Sequence, residues 1–381
     1  MDFNLSDEHN LIRETVRDFA EKEVKPAAKE LDEKAEFSKE LTKGMGELGL
    51  FGMFVPEKYG GQGTDTLSYI IAVEEIARVD GSQAATLAAH NSLGVGPLYH
   101  YGTEEQRMKF IPPLCTGESL WGFGLTEAEA GSDSRGTKTK AVLDNDEWVI
   151  NGSKIFITNS AADISAGSTV QVVSGEKDGK PEFSTIIVEQ DRPGFKAVEM
   201  HDKMMWRASN TGELYFDNCR VPKDNLLGKL GEGSHIMLST LDNGRLSIAA
   251  MGLGCAQGAY EAALKYSQER KQFGKPICKF QVIAFKLADM ALKIELARNL
   301  LYKACWLYDN KLPFAKEAAM SKLYCSEVAK EVADEAVQIH GGYGLMKEYD
   351  VERFYRDQRL LQIGEGTSEI QRLVISRYIG C

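Results

Sequence analysis

The spacing of apolar and polar residues divides the chain into three parts, and the first of them has the pattern of helices. An apolar face runs through "LIRETVRDF", which Ser6 can cap at its N-terminus. Thr103 and Gln106 have the spacing of a capping box, while the proline and glycines of "FVPEKYGGQG" interrupt the helical periodicity. Residues 1–118 are therefore predicted to form a helical domain.

The middle of the chain changes to short runs of β-branched and aromatic residues. Examples are "EWVINGSKIFITN", "STVQVVS", "FSTIIVEQ" and "GELYFDNCRVP", separated by turn pairs such as Asn151-Gly152 and Asp178-Gly179. Short strands at this spacing are typical of an antiparallel sheet or barrel. Residues 119–228 are therefore predicted to form a central antiparallel β domain.

The last part, residues 229–381, returns to long helical periods joined by short connections, which favours an antiparallel bundle. A chain of 381 residues exceeds the roughly 250–300 residues at which a single core stops growing, so about two or three subdomains are expected. The predicted fold class is α+β and mostly α, in the order helical domain, β domain, helical bundle.

Composition narrows the classes of protein to consider. With 43% hydrophobic and 27% charged residues the chain has an ordinary globular composition. Its net charge of −11 argues against a surface for nucleic acid or anionic membranes, although a basic cluster at Arg270, Lys271 and Lys275 could hold one small anion. Seven dispersed cysteines without a C-x-x-C pair favour reduced thiols. Since neither a signal-peptide pattern nor an apolar run of ~20 residues is present, we expect a cytoplasmic protein without membrane insertion.

The glycines of "MGLGCAQG" superficially resemble a dinucleotide-binding loop. No predicted strand precedes Gly252, Gly254 and Gly258, and their spacing does not fit the fingerprint. Both flanks are helical, so close packing between helices explains these glycines better. The chain also lacks a P-loop, H-E-x-x-H and G-x-S-x-G, and its dispersed histidines predict no metal site.

Two loop segments each leave a functional and an ordinary interpretation open. "WGFGLTEAEAGSDS" could present backbone N–H groups and hydroxyls to a planar cofactor or a phosphate, but composition alone favours a turn-rich linker. In "RKQFGKPICKFQ", Arg270 could pair with a phosphate and Phe273 could lie against a ring. Taken alone, a solvated turn between helices is the simpler interpretation of that segment.

Glu365 lies between two glycines in "LLQIGEGTSEIQRL", at the weakest point of an otherwise helical segment. A lone glutamate at a helix break is usually solvated. Here the flanks are apolar, and the glycines allow the backbone to approach another molecule closely. Desolvation would raise the pKa of this carboxyl group and make it a stronger base when ionised.

Taken together, these segments resemble the acyl-CoA dehydrogenase family over essentially the whole chain. The resemblance rests on "GLTEAEAGSD", "WVINGSKIFITN", "RASNTGELYFDNCRVP", "LDNGRLSIAAMGLG", "ERKQFGKP", "QIHGGYG" and "YRDQRLLQIGEGTSEIQR", in order and at similar spacing. It implies an N-terminal helical domain, a central β domain, a C-terminal four-helix bundle, one FAD per subunit and a homotetramer. It also implies an acyl-CoA substrate and an electron-transferring flavoprotein as the acceptor.

The resemblance implies roles for individual residues. Glu365 matches the catalytic base, which would remove the α-proton of the thioester while the β-hydride passes to flavin N5. The cofactor-binding positions are Phe123, Leu125, Thr126, Phe156 and Thr158, then Arg270, Gln272, Phe273, Gln338, Gly341 and Gly342 toward the FAD of a neighbouring subunit, with Thr367 and Glu369 at its adenosine half. The substrate-binding positions are Ser132, Asp242, Arg245, Asn91, Gly364 and Gly366.

The expected acyl group follows from departures from the family pattern. Some branched-chain relatives place the base at the position of Gly244, which cannot serve here. Many straight-chain relatives have tyrosine where this chain has Gly364, and Trp206 replaces a smaller aliphatic residue. These differences favour a short, bulky acyl group, branched or alicyclic, such as cyclohexanecarboxyl-CoA. A straight short-chain substrate, butyryl-CoA, is the alternative.

Two other functions remain open at this point. A relative that reacts with O₂, as an oxidase or a desaturating N-oxygenase, would share the same residues. A catalytically silent flavoprotein scaffold belongs to a different class, and Glu365 together with Asp242 and Arg245 weighs against it.

Overall fold

The computed structural model of the protein describes residues 4–381, and its first third is helical. The helices are α1 (Asp7–Phe19), α2 (Lys25–Lys34), α3 (Lys39–Glu47), α4 (Thr66–Ala77), α5 (Gly81–Ala89), α6 (Gly96–Tyr101) and α7 (Glu104–Phe110). Ser6 Oγ accepts the backbone N–H of His9, and Thr103 forms a capping box with Gln106. Both predicted helix starts are confirmed.

The central part forms an eight-stranded sheet. Its strands are β1 (Leu120–Gly124), β2 (Lys140–Asp144), β3 (Glu147–Thr158), β4 (Ser165–Lys177), β5 (Lys180–Glu189), β6 (Phe195–Glu199), β7 (Thr211–Pro222) and β8 (Leu226–Leu227). The spatial order is β6-β7-β3-β2-β4-β5-β8, with β1 beside β4. The sheet is not purely antiparallel as predicted, because β1 and β2 both pair with β4 in parallel. The parallel neighbours β1 and β4 need a long connection, and this connection contains the β2–β3 hairpin.

The last third is helical apart from one short hairpin. It contains α8 (Gly233–Glu269), β9 (Lys271–Gln272), β10 (Lys275–Pro276), α9 (Gln281–Asp309), α10 (Ala315–His340), α11 (Val351–Asp357) and α12 (Ser368–Tyr378). The 37 residues of α8 span about 55 Å, and this helix packs against α9 and α10 as well as against α4 and α5. The two helical parts therefore share one apolar core. No helix among residues 4–381 is both long and apolar enough to cross a bilayer.

The glycines of α8 mark its close contacts with other helices. A Cβ atom at Gly252 would lie 2.9 Å from the carbonyl oxygen of Cys325 on α10, and one at Gly254 would lie 2.3 Å from that of Glu74 on α4. At Gly258 the carbonyl oxygen of Arg78 would be 2.0 Å away. Only glycine allows these approaches, so the interpretation of the glycines as packing residues is confirmed.

Candidate active site

Glu365 lies in a strained turn between the 3₁₀ segment Gln358–Gln362 and α12. Its φ is +52°, and that of Gly366 is +93°. A left-handed conformation is rare for a residue with a side chain and persists only where its surroundings impose it. The predicted weak point in the helical segment is thus a complete break between the 3₁₀ segment and α12.

Side chains of α10 and α12 hold this turn in place. Lys322 Nζ donates to the carbonyl oxygen of Gly366 at 2.7 Å, and Gln371 Nε2 donates to the same oxygen at 2.9 Å. Ser326 Oγ donates to the carbonyl oxygen of Leu361 at 2.8 Å. The carboxylate of Glu327 accepts hydrogen bonds from both flanks of the turn, from Gln362 Nε2 at 2.7 Å and Ser368 Oγ at 2.9 Å. The turn is therefore fixed on both sides of Glu365.

The carboxylate of Glu365 lies directly over the backbone of α8 at Gly244. A Cβ atom at Gly244 would be 1.9 Å from Glu365 Oε2 and 3.1 Å from Leu93 Cδ2. Within residues 4–381, Oε2 is buried and has no hydrogen-bond partner. Burial raises the pKa of Glu365 to about 7, although the positive charges of Lys322 and Arg245 partly oppose this shift. A buried carboxylate with a free oxygen and a pKa near neutrality is suited to accept a proton.

Buried hydroxyl groups lie close to this carboxylate. Tyr69 Oη donates to the carbonyl oxygen of Ala88 at 2.8 Å, and Ser92 Oγ lies 3.3 Å from Ser247 Oγ. Burial raises the pKa of Tyr69, as does the nearby charge of Glu365, so its phenol stays protonated. These side chains fill the space between α4, α8 and the π-helical segment His90–Val95.

An apolar wall borders the region from the side of the β domain. Phe123 and Leu125 are buried against Met237 of α8, with Leu93 and Leu241 packed beside them. Leu93 contributes both to this wall and to the surroundings of Gly244. The start of the "LTEAEAGSDS" loop and the carboxylate of Glu365 therefore face one region of the molecule.

A buried ion pair fixes that loop to β3. Lys154 Nζ donates to Glu127 Oε1 at 2.7 Å and to the carbonyl oxygen of Leu125 at 3.1 Å. The backbone N–H of Ile155 donates to the carbonyl oxygen of Thr126 at 2.9 Å. Burial lowers the pKa of Lys154 to about 8, which the charge of Glu127 partly offsets. The loop is more than a linker, because a charge hidden from water holds Leu125 and Thr126 beside the strand that bears Phe156 and Thr158.

Replacing Lys154 with methionine is expected to lower the free energy of unfolding by about 3–5 kcal/mol, because Glu127 would remain buried without its counter-charge. The matched control is Lys138→Met, which removes the partner of Glu129 in an exposed pair on the same loop and should cost less than about 1 kcal/mol. Urea denaturation followed by circular dichroism measures both variants. Equal losses would contradict the assignment of the buried pair.

The pairing of β3 with β7 is interrupted by a bulge between Lys154 and Ile157. Phe156 lies in this bulge, and Thr158 comes after it. Phe156 has a φ of +62° and is 63% exposed, so its ring stands out from the sheet. An aromatic face next to a polar loop is a suitable surface for a planar ring system. Thr126 and Thr158 are half-buried and Ser132 is exposed, so their side chains can reach a bound molecule.

Six further predicted cofactor residues, named at the end of this paragraph, form a separate surface at the C-terminal end of α8. The guanidinium carbon of Arg270 lies 5.5 Å from the ring centre of Tyr343, so the hairpin after α8 contacts the segment Gly341–Leu345. Phe273 is 94% exposed, and no hydrogen bond, ion pair or ring contact within residues 4–381 joins this surface to Phe156 or Glu365. All six residues of this surface are exposed: Arg270, Gln272, Phe273, Gln338, Gly341 and Gly342.

Asp242 and Arg245 are linked by an ion pair one turn apart on α8, next to Gly244. Arg245 is buried, and its Nε has no hydrogen-bond partner in the described chain. Burial raises the pKa of Asp242, while the charge of Arg245 opposes the shift. Thr367 caps α12 through Ile370, and Glu369 is exposed beside it. Arg245 thus has a free donor at the same helical turn as Gly244.

Two sequence-based assignments do not agree with the contacts observed. The amide of Asn91 donates to the carbonyl oxygens of Leu50 and Leu87 and accepts from the N–H of Gly52. Asn91 therefore supports the backbone and has no polar group left for a substrate. Trp206 lies against Gly81 and Asp357, whose Oδ1 accepts its backbone N–H at 2.8 Å. Trp206 fills a junction between domains, so its size gives no support to a widened acyl pocket.

Sequence reasoning missed Lys154 and Lys322, although each left a signal. Side chains alternate between the two faces of a strand, and Lys154 is an even number of residues from the buried Trp148 and Ile150. It is therefore expected on the same, inward face of β3. Lys322 lies four residues after Ala318 and three before Cys325, on the buried face of α10. A lysine at an inward position indicates a buried charge that needs a partner.

Comparison with known proteins agrees with this architecture. Residues 6–118, 122–219 and 231–380 match the models of the acyl-CoA dehydrogenase N-terminal, middle and C-terminal domains. The chain therefore belongs to the acyl-CoA dehydrogenase family, whose members are oxidoreductases.

Individual relatives cover the whole chain. It is 52% identical to a probable acyl-CoA dehydrogenase of Bacillus subtilis, with 100% of both chains covered. It is 47% identical to a short-chain specific acyl-CoA dehydrogenase of Clostridium acetobutylicum, with 99% of each covered. The solved butyryl-CoA dehydrogenase of Megasphaera elsdenii is 44% identical and superposes with a TM-score of 0.96 over 100% of both chains.

Two further solved structures concern the cofactor and the electron acceptor. A glutaryl-CoA dehydrogenase of Mycobacterium smegmatis in complex with FADH2 is 32% identical, with a TM-score of 0.94 and 99% and 95% of the chains covered. A chain from a study of the electron-transferring flavoprotein of Acidaminococcus fermentans is 45% identical, with a TM-score of 0.97 over 100% of both.

Proposed function

We propose that the protein is an FAD-dependent dehydrogenase that introduces the α,β double bond into a short, straight-chain acyl-CoA, with Glu365 as the base. The observation that supports this most directly is the buried, unpartnered Glu365 Oε2 over Gly244, beside the apolar wall of Phe123 and Leu125. A substrate that fills this space excludes water from the carboxylate. The desolvated carboxylate is then a stronger base toward the weakly acidic α-proton of the substrate.

The residues around this region suit a flavin. The exposed ring of Phe156, the half-buried Thr126 and Thr158, and the loop held by Lys154 would contact its ring system. When bound, FAD supplies a hydride acceptor for the β-carbon. Glu365 would remove the α-proton, and its own backbone N–H would donate to the thioester carbonyl oxygen, which stabilises the enolate as it forms. Arg245 and Asp242 would contact the CoA portion, with Ser132 nearer the thioester.

The second group of predicted FAD residues would serve another copy of the chain. Arg270 directly follows the last residue of α8 and lies 26 residues after Gly244, a distance of about 39 Å along the helix. One cofactor beside Glu365 cannot reach that far along α8. An exposed Phe273 and an exposed Arg270 are suited to contact the cofactor of a neighbouring subunit, in line with the homotetramer that we propose.

A straight short acyl chain is favoured over the bulky one expected from the sequence. Relatives that cover the whole chain are named short-chain specific or butyryl-CoA dehydrogenases, and none of those cited is named for a cyclic substrate. Leu93 lies next to Gly244, since its Cδ2 would be 3.1 Å from a Cβ atom there. A Cβ atom at Gly364 would lie 3.2 Å from Leu360 Cδ2, so a side chain at this position would be crowded on the side of Leu360. Cyclohexanecarboxyl-CoA specificity is therefore not retained.

Replacing Gly364 with tyrosine is expected to lower kcat/KM for isobutyryl-CoA at least about tenfold relative to butyryl-CoA, because the ring would occupy space that the glycine leaves free next to Glu365. The change from glycine to alanine, Gly364→Ala, is the matched control and should leave the ratio within about threefold. Kinetics with both thioesters measure the ratio. An unchanged ratio in the tyrosine variant would mean that position 364 does not border the acyl group.

The decisive experiment is anaerobic titration of the purified protein with butyryl-CoA, isobutyryl-CoA and cyclohexanecarboxyl-CoA, followed by the visible absorbance of the flavin. Rapid bleaching by butyryl-CoA alone supports the proposal. Bleaching only by the cyclic thioester would restore the bulky substrate, and no bleaching by any thioester would leave the scaffold alternative. Oxygen uptake during aerobic turnover would indicate an oxidase, whereas its absence with rapid reoxidation by an electron-transferring flavoprotein supports that protein as the acceptor.

A further inference from the structure

Lys322 is a fully buried lysine close to the proposed base, and its side chain has 0% exposure. Its Nζ donates to the carbonyl oxygen of Gly366 at 2.7 Å, but within residues 4–381 it forms no ion pair. Burying an ammonium group without a direct counter-charge lowers the stability of the folded state. A neutral donor already reaches the same carbonyl oxygen, since Gln371 Nε2 lies 2.9 Å away. Attachment of the turn alone therefore does not explain why a charge is buried here.

The charge has a counterpart in Glu365. Glu365 Oε2 is likewise buried and without a partner in the described chain, and the positive charge of Lys322 lowers the pKa of Glu365 against the effect of burial. Arg245 on α8 is the other cation nearby, but Asp242 already neutralises it. The remaining charged groups that act on Lys322 are Glu327 on its own helix and Glu369 on α12.

We propose that Lys322 is a positioning and charge-balancing residue: its ammonium group holds the backbone at Gly366 and keeps Glu365 ionised while the pocket excludes water. This inference rests on the proposed role of Glu365 as a base. Burial lowers the pKa of Lys322 to about 8, and the charge of Glu365 opposes that shift, so the lysine is cationic in the range where the carboxylate ionises.

The test compares Lys322→Met, Lys322→Arg and Ser326→Ala. The methionine variant removes the charge, the arginine variant retains it, and the alanine variant removes a neutral hydrogen bond to the same turn, at Leu361. The first measurement is the pH dependence of kcat/KM for butyryl-CoA. Removing the opposite charge should move the acidic midpoint upward by about one pH unit or more. This shift corresponds to a loss of about fivefold at pH 7 that is recovered at higher pH.

The second measurement does not depend on turnover. Infrared difference titration of the carboxyl C=O band, assigned by its loss in Glu365→Gln, reports the ionisation of Glu365 in the absence of substrate. We expect an upward shift in Lys322→Met, a smaller one in Lys322→Arg and none in Ser326→Ala. An unchanged midpoint in the methionine variant, or equal shifts in the methionine and alanine variants, would overturn the proposal.

The two measurements also separate this inference from the proposed function. If the titration shifts but the wild-type protein oxidises no acyl-CoA, the electrostatic coupling stands and the function of Glu365 as a base is wrong. If the methionine variant does not fold, the infrared comparison between Lys322→Arg and Lys322→Gln decides the question, because glutamine removes the charge but retains a donor.

Discussion

Replacement of Glu365 by glutamine is expected to lower kcat/KM for the best acyl-CoA by about 10²- to 10⁴-fold, because an amide cannot accept the α-proton. The side chain keeps its size over Gly244, so binding of the substrate should change little. In the wild-type protein the rate should rise with pH around a midpoint near 7, since burial raises the pKa of Glu365 to about 7 and only the ionised form is a base. The residual rate of the glutamine variant should lack this rise.

Stopped-flow reduction of the flavin across about pH 5–9, a range about two units on either side of that midpoint, measures both effects. Glu118→Gln, at an exposed glutamate outside the site, provides the control for loss of a carboxylate. Retention of more than about a tenth of the rate in Glu365→Gln would mean that another group removes the proton.

A methyl group at position 244 is expected to lower turnover about 100-fold without lowering the thermal stability. The Cβ atom of Gly244→Ala would lie 1.9 Å from Glu365 Oε2, so the carboxylate must move, and a displacement of about 1 Å can cost that much in rate. Alanine is a better helix former than glycine by about 1 kcal/mol, which favours the folded state. Loss of activity with an unchanged or higher melting temperature separates a local effect from unfolding.

A double-mutant cycle tests the cause of this loss. Glu365→Asp withdraws the carboxylate from α8, so adding Gly244→Ala to it should cost far less than adding Gly244→Ala to the wild type. Additive losses in kcat would show that the methyl group acts elsewhere, for example on the contact with Leu93.

Local patterns in the sequence were sufficient for the three-part fold and for the packing glycines of α8. Capping residues such as Ser6 and Thr103 act within one turn, so the chain itself displays them. The parallel pairing of β1 with β4 joins residues about 45 positions apart, as at Leu120 and Ser165, and strand propensity has no information on such a pairing.

The sequence indicated Glu365 as a candidate base, but it did not indicate the contacts that surround its carboxylate. The glycines beside Glu365 indicated a break, whereas the contact with Gly244 depends on the crossing of two distant helices. Trp206 could be identified from the sequence as a departure from the family pattern. Its contacts could not, because Gly81 and Asp357 are more than 100 residues away on either side. The choice of acyl group depends in the same way on side chains around Gly364 that the local sequence does not specify, and the named relatives favour the straight short-chain alternative.

The left-handed backbone at Glu365 also bears on how the protein can evolve or be engineered. Strain of this kind costs about 1–3 kcal/mol, and glycine or asparagine would relieve it. Selection for heat resistance alone would therefore enrich those residues at position 365 and discard the base at the same time. Libraries selected for thermal stability of this protein need a simultaneous screen for turnover, because the residue with less backbone strain at position 365 is the inactive one.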